Sequence, residues 1–193
     1  MGVVWAILNP LIMFALFTFV FAFVFKARIP GADSSITYSI WLICGYGPWL
    51  ANIEALMASS NSIVSNAGLV KNMTFKTEIL PISATMIGIV PLGVSLAFLV
   101  ILKFFTGESF SWALALLPFV IFVHFLFLSA LGVLFAIITT FVRDFGILLP
   151  NLLLICLFAT PIFYPIETLP SIAQHIQQFN PFYVISEAYR SVL

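Results

Sequence analysis

The sequence predicts an all-α membrane protein with about five transmembrane helices, and three observations carry that prediction. Of its 193 residues, 63% are hydrophobic and only 7% charged, whereas a soluble domain carries about 25% charged residues and so has the polar surface to meet water. The apolar residues fall in runs of about 20 or more, enough to cross ~30 Å of hydrocarbon at ~1.5 Å per residue. Charges and turn residues collect between those runs.

The first span covers residues 3–25. It is too long for the core of a signal peptide and no basic segment precedes it, so it is expected to stay in the mature chain. It ends at "KARIPGADSS", where Pro30 and Gly31 mark a turn. The second span, residues 38–57, contains "GYGPW" (45–49), whose two glycines and proline are expected to bend or unwind the helix. A polar connection follows at 58–78. The third span, 79–102, has Pro81 near its start and Pro91 in its middle, and the short loop "TGES" leads to the fourth, 112–141. The fifth covers 147–163.

Between the fourth and fifth spans stands "FVRDFG". Arg143 and Asp144 follow about 34 charge-free residues and precede about 22 more. The segment from 164 to 190 differs in texture, with Pro165, Pro170 and Pro181 interrupting amphipathic stretches too short to span. It reads as short helices that dip into the membrane or lie on it. Five spans place the termini on opposite sides, but the positive-inside rule does not choose between orientations. With the N-terminus inside, Lys71, Lys76 and Arg143 are cytoplasmic, while Lys26, Arg28, Lys103 and Arg190 are not.

The residues offer little catalytic equipment. A formal net charge of zero without a basic stripe excludes the footprint of a nucleic-acid binder. Cys44 and Cys156 lie inside apolar runs and read as small buried hydrophobes. His124 and His175 have no metal-ligand spacing, so no metal site is predicted, and His124 reads either as a functional group or as a partner for a neighbouring helix. No P-loop is present, so any ATP must act on another chain. Glu54 is the one acidic residue well inside a span; it sits about one turn from the polar connection and is expected to reach water, a proton or cation path being the alternative. Ser129, Gly132 and Ala136 place small side chains on one helix face, a packing device. Trp5, Tyr38, Trp112 and Tyr164 near span ends fit an interfacial belt. The many Phe residues are expected to face lipid, although a line of them facing a pore would stack on sugar rings.

Five short motifs occur in order: "GVVWAILNPL" (2–11), "LVKNMTFKTEILP" (69–81), "FVRD" (141–144), "TPIFYPIETLP" (160–170) and "FNPFYVISEAYRSVL" (179–193). Together they resemble the membrane subunit of an ATP-binding-cassette exporter of the type-2 class, whose members export O-antigen, capsular polysaccharide and teichoic acid. The resemblance covers essentially the whole chain. It implies a non-catalytic permease in the cytoplasmic (inner) membrane of a bacterium, with a cytoplasmic N-terminus, exporting a lipid-linked polysaccharide. A type-2 permease for a drug or lipid is the alternative, and an ion-coupled transporter or membrane-embedded enzyme a more distant one.

The resemblance also implies partners and sites. Two copies of the permease pair with two nucleotide-binding ATPase subunits, which hold the ATP and Mg; this chain itself carries no cofactor and no catalytic residue. Residues 58–78 become the cytoplasmic coupling segment, with Lys71, Asn72, Phe75, Lys76 and Glu78 docking on the ATPase beside Arg143 and Asp144. Where the family often has Pro after the aromatic, this chain has Lys76. Residues 164–190 become an outer re-entrant hairpin, whose gate the resemblance places at Pro161, Tyr164, Pro165, Asn180, Pro181, Tyr189 and Arg190. Family members begin with an interfacial helix before the first motif and end with a sixth span after "YR". Neither is in this sequence, so a sequence truncated at both ends is expected.

Overall fold

The computed structural model describes residues 3–25, 35–72, 76–107 and 112–193. All regular structure among them is helical. Helix α1 (Val3–Phe17) continues into a π-helical stretch (Thr18–Val24). The long α2 (Ser35–Ser65) is followed by the short α3 (Ala67–Asn72). Helix α4 (Ile79–Thr85) passes through a 3-10 turn (Met86–Gly88) into α5 (Ile89–Thr106). A further 3-10 turn (Trp112–Leu116) opens α6 (Leu117–Phe141), and α7 (Arg143–Ala159) starts immediately after it. The chain ends in α8 (Ser171–Gln178) and α9 (Pro181–Val192). Phe75 and the turn at Pro30 and Gly31 lie outside the described residues.

Three helical stretches are long and apolar enough to cross a membrane, at Val4–Phe21, Ile79–Thr106 and Trp112–Phe141. Helix α2 has the length but carries Ser39, Asn52 and Glu54 among its apolar residues, and α7 has 17 residues. In α2 nearly every residue from Tyr38 to Asn52 is buried. It forms the axis of the bundle, packed against α4, α5, α6 and α9. A helix covered on all sides has no polar face to spare, and its polar groups must find partners within the protein.

The expected break at "GYGPW" is absent: α2 runs unbroken through Pro48. The glycines serve close approach instead. A Cβ at Gly45 would meet the guanidinium of Arg190, and one at Gly47 the hydroxyl of Ser95 on α5. Nor does α2 stop at residue 57 as the polar composition predicts. In its last turns short polar side chains fold back onto the helix's own carbonyls and so need no outside partner, Ser62 Oγ donating to the Ser59 carbonyl at 2.7 Å and Ser65 Oγ to the Asn61 carbonyl at 2.8 Å. Asn66 Nδ2 donates to the Ser62 carbonyl at 2.8 Å and covers an end that would otherwise lack a donor.

Helix α7 ends at Ala159, so residues 160–163, expected to complete the fifth span, form a turn. Thr160 takes extended backbone and Pro161 follows, a residue type that disfavours helix at the position before it. The turn is still buried, because Ile162 and Phe163 pack into the core and Phe163 stacks on Phe21 with ring centroids 4.9 Å apart.

Small residues set the spacing around α2. Gly132 and Ala136 on α6 are buried, and a Cβ at Gly132 would run into Ser59 and Thr85. Ser129 completes this face with a hydroxyl contact of 3.3 Å to Thr85 Oγ1. At Gly88, a Cβ would lie 2.7 Å from the Ala51 carbonyl oxygen and 3.1 Å from Ala55 Cβ. The backbone of α2 cannot yield there, so Gly88→Val is expected to cost about 1–3 kcal/mol and lower the melting temperature of the detergent-solubilised protein. Gly93→Ala in the following α5, where no atom lies within 4 Å of the new Cβ, is the control expected not to lower it.

Candidate functional site

The residues that the sequence marks for function gather at the two ends of α2. At the C-terminal end, Ser59 Oγ donates to the Pro81 carbonyl at 2.9 Å and ties α2 to the start of α4. Gly146 lies against Asn61, so close that a Cβ there would be 2.9 Å from Asn61 Oδ1. These two contacts put Glu78 and the Arg143–Asp144 pair at the same end of the bundle. All three are exposed, as are Lys71, Asn72 and Lys76 on and after α3. Val142 takes extended backbone (φ −126°, ψ 92°) and separates α6 from α7. Asp144 then falls in the first turn of α7, where the positive end of the helix dipole favours a carboxylate.

At the N-terminal end, Tyr38 Oη donates to the Phe163 carbonyl at 2.7 Å. Three residues on, the ring of Trp41 lies 3.6 Å below the guanidinium carbon of Arg190. Arg190 also donates from Nη2 to the Ile162 carbonyl at 2.8 Å, from Nη1 to the Pro161 carbonyl at 3.4 Å, and from Nη1 to Glu187 Oε1 at 2.6 Å. The side chain is only 6% exposed, and its Nε has no partner among the described residues. A planar fork that reaches two turn carbonyls, a carboxylate and an aromatic face is specific to Arg, since Lys presents a point charge. Lys103 at the end of α5 donates to the Leu193 carbonyl, so α5 also holds the tail of α9. From Tyr38 to Ser59 is 21 residues of helix, about 30 Å at the α-helical rise, which matches the hydrocarbon thickness.

The residues expected at the outer gate occupy this N-terminal end. Pro161 and Pro165 are buried and Tyr164 half-buried, its hydroxyl donating to the Phe158 carbonyl at 3.0 Å. Asn180 caps α9, its Oδ1 accepting from Phe182 N at 3.1 Å, with Pro181 at the first helical position where a missing N–H costs nothing. The Asn180 amide donates to Thr160 Oγ1 at 3.0 Å and binds the cap to the turn after α7. Tyr189 points elsewhere, into the core.

There it meets His124, which the sequence left open between function and packing. His124 is fully buried on α6, with Nε2 2.6 Å from Asn52 Oδ1 on α2 and Nδ1 3.1 Å from the Tyr189 hydroxyl on α9. An amide oxygen only accepts, so Nε2 carries the proton and a neutral ring accepts the Tyr189 hydroxyl at Nδ1. The ring therefore staples three helices. Its partners Asn52 and Tyr189 share nothing in sequence that would pair them, nor do Trp41 and Glu187 announce themselves as partners of Arg190.

Glu54 is exposed, as expected, but it does not lie near the end of its helix. Because α2 continues to Ser65, the carboxylate lies 11 residues from the helix end, about 16 Å along the axis. It lines a cleft of about 300 Å³ between α1, α2 and α5.

A bundle of apolar helices around a buried axial helix, with three stretches long and apolar enough to cross a membrane, has the form of a membrane protein. The chain belongs to the ABC-2 type transporter family, whose model matches residues 1–193. It is 24% identical over 194 residues to the O-antigen export system permease protein RfbA of Myxococcus xanthus, covering 100% of this chain and 72% of that one. To a protein of the same name from Klebsiella pneumoniae it is 25% identical over 183 residues, 94% of this chain and 68% of the other.

Two substitutions test the stapling contacts. Arg190→Lys is expected to destabilise the fold nearly as much as Arg190→Ala, each by about 2–3 kcal/mol, because both leave the Ile162 and Pro161 carbonyls without the fork. His124→Leu strands the Asn52 amide and the Tyr189 hydroxyl in the core and is expected to cost about 1–3 kcal/mol. Thermal unfolding in detergent reads both, and an unchanged midpoint for either would refute the contact concerned.

Proposed function

We propose that this chain is the membrane-spanning permease subunit of an ATP-driven exporter that moves a lipid-linked polysaccharide across the cytoplasmic membrane of a bacterium. The observation that carries the proposal is the match to the ABC-2 type transporter family over all 193 residues, joined to relatives named as O-antigen export permeases. ATP and Mg are assigned to two nucleotide-binding partner subunits, and a second copy of the permease completes the path for the polymer.

In this reading α2 and α7 cross the bilayer together with the three more apolar stretches, giving five spans with a cytoplasmic N-terminus. The C-terminal end of α2 then faces the cytoplasm and the N-terminal end faces outward. Residues 58–78 are the coupling segment, and Lys71, Asn72, Phe75, Lys76 and Glu78 form its docking patch beside Arg143 and Asp144. The turn at 160–163 with α8 and α9 is the outer re-entrant hairpin, held in place by Arg190. Closure of the ATPase dimer on ATP pushes on the coupling segment. Because that segment continues α2, the push reaches the helix against which α4, α5, α6 and α9 all pack.

Lys71 and Lys76 are exposed, so Lys71→Glu combined with Lys76→Glu is expected to leave the permease folded while weakening its association with the ATPase chain at least tenfold, measured by co-purification at physiological salt. Unchanged association would reject the docking patch. Export itself is read in proteoliposomes holding both subunits, where ATP-dependent movement of undecaprenyl-linked glycan is expected. Movement of small hydrophobic drugs or lipids without glycan would overturn the cargo.

A further inference from the structure

The cleft between α1, α2 and α5 combines features that packing alone does not require. Trp5 and Asn9 sit one turn apart on the same face of α1, and Glu54 faces them from α2. The opposite wall is apolar, formed by Ile87 and Pro91 at the junction into α5. Neither the Glu54 carboxylate nor the Asn9 amide has a hydrogen-bond or ion-pair partner among the described residues. Yet Glu54 lies five residues further into the bundle than Ser59, which already contacts Pro81 near the start of an apolar stretch of 28 residues. Glu54 is exposed where it lines the cleft, and an ionisable group that far along the helix, without a partner among the described residues, marks a functional position.

We propose that this cleft binds a sugar unit of the transported glycan. This rests on the exporter reading above. A pyranose ring has an apolar C–H face and a rim of hydroxyls. The exposed Trp5 ring offers a flat surface for the face, the Glu54 carboxylate accepts from hydroxyls, and the Asn9 amide both donates and accepts. A volume of about 300 Å³ stands at the lower end of small-molecule sites and suits one or two rings.

Other occupants fit less well. A divalent cation takes six or more oxygen ligands and finds one carboxylate here. A lipid phosphate is repelled by that same carboxylate, with no cation lining the cleft to offset it. Acyl or prenyl chains have a better place next door, in a groove between α1 and α5 lined by apolar side chains alone, Leu11, Val94 and Ile101 among them.

The test uses the permease–ATPase complex in lipid nanodiscs and two probes, the neutral oligosaccharide released from the exported glycan and polyprenyl diphosphate without sugar. Calorimetric binding of the oligosaccharide is expected to fall about tenfold or more in Glu54→Gln and in Trp5→Ala, and to survive in Trp5→Phe. Because Glu54 has no partner to lose, Glu54→Gln is expected to melt with the wild type, which separates lost binding from lost fold. Val94→Ala in the neighbouring groove is expected to bind the oligosaccharide normally. Equal oligosaccharide binding by wild type, Glu54→Gln and Trp5→Ala overturns the site while glycan export still stands. Displacement of the oligosaccharide by polyprenyl diphosphate also overturns it, in favour of a lipid-phosphate site. A wild-type complex that exports no glycan overturns the exporter reading and takes this site with it.

Discussion

From Tyr38 to Asn52 helix α2 has almost no surface of its own, and most of the structure follows from what that demands of its neighbours. Burying a polar group without a partner costs several kcal/mol in an apolar medium. Of the buried polar groups along α2, Trp49 Nε1 has no partner among the described residues, while three others, at three heights, are each met by a different element. Tyr38 reaches the turn after α7, Asn52 reaches His124 on α6, and Ser59 reaches the carbonyl of Pro81 on α4. The three contacts fix the rotation and height of three neighbours relative to one axis. Apolar packing between helices in lipid cannot do this alone, since lipid tails compete equally for an apolar face.

The same logic explains α9, the last helix of the chain and among the least apolar. It carries Tyr189 and Arg190 side by side, and successive residues on a helix point about 100° apart. Tyr189 therefore points at His124 in the core while Arg190 points at the 161–162 carbonyls and Trp41. A short amphipathic helix is thus anchored from two directions. The turn it secures, with Ile162 and Phe163 buried, has lost helical pairing after Ala159, and Arg190 supplies donors to two of its carbonyls.

Much of the architecture could be read from the sequence, because charge-free runs and the charges between them are one-dimensional signals. The all-helical fold, the apolar stretches read at 79–102 and 112–141 and found at Ile79–Thr106 and Trp112–Phe141, the small-residue face at Ser129, Gly132 and Ala136, and the break before Arg143 are of this kind. The extent of α2 was not legible. "GYGPW" carries the composition of a break, and only the third dimension shows Arg190 and Ser95 occupying the space that side chains at Gly45 and Gly47 would fill. The serines and asparagines of 59–66 look like a loop by composition, yet they bond back onto their own helix. Partners more than 60 residues apart in the chain, such as Asn52, His124 and Tyr189, leave no local trace that would pair them.

The position of Glu54 shows why the length of one helix alters the reading of function. Were α2 to end at residue 57, the carboxylate would sit one turn from water and need no explanation. Extended to Ser65, the helix carries it to the level of Pro91, beside an Asn9 amide that likewise has no partner among the described residues. Arg143 and Asp144, like Glu54 exposed and set among apolar residues, stand instead at a helix boundary, where the α7 dipole favours Asp144. Charge in an apolar sequence is therefore informative only after depth is known. Here depth is set by the continuation of α2 to Ser65, through turns whose polar side chains bond to their own helix.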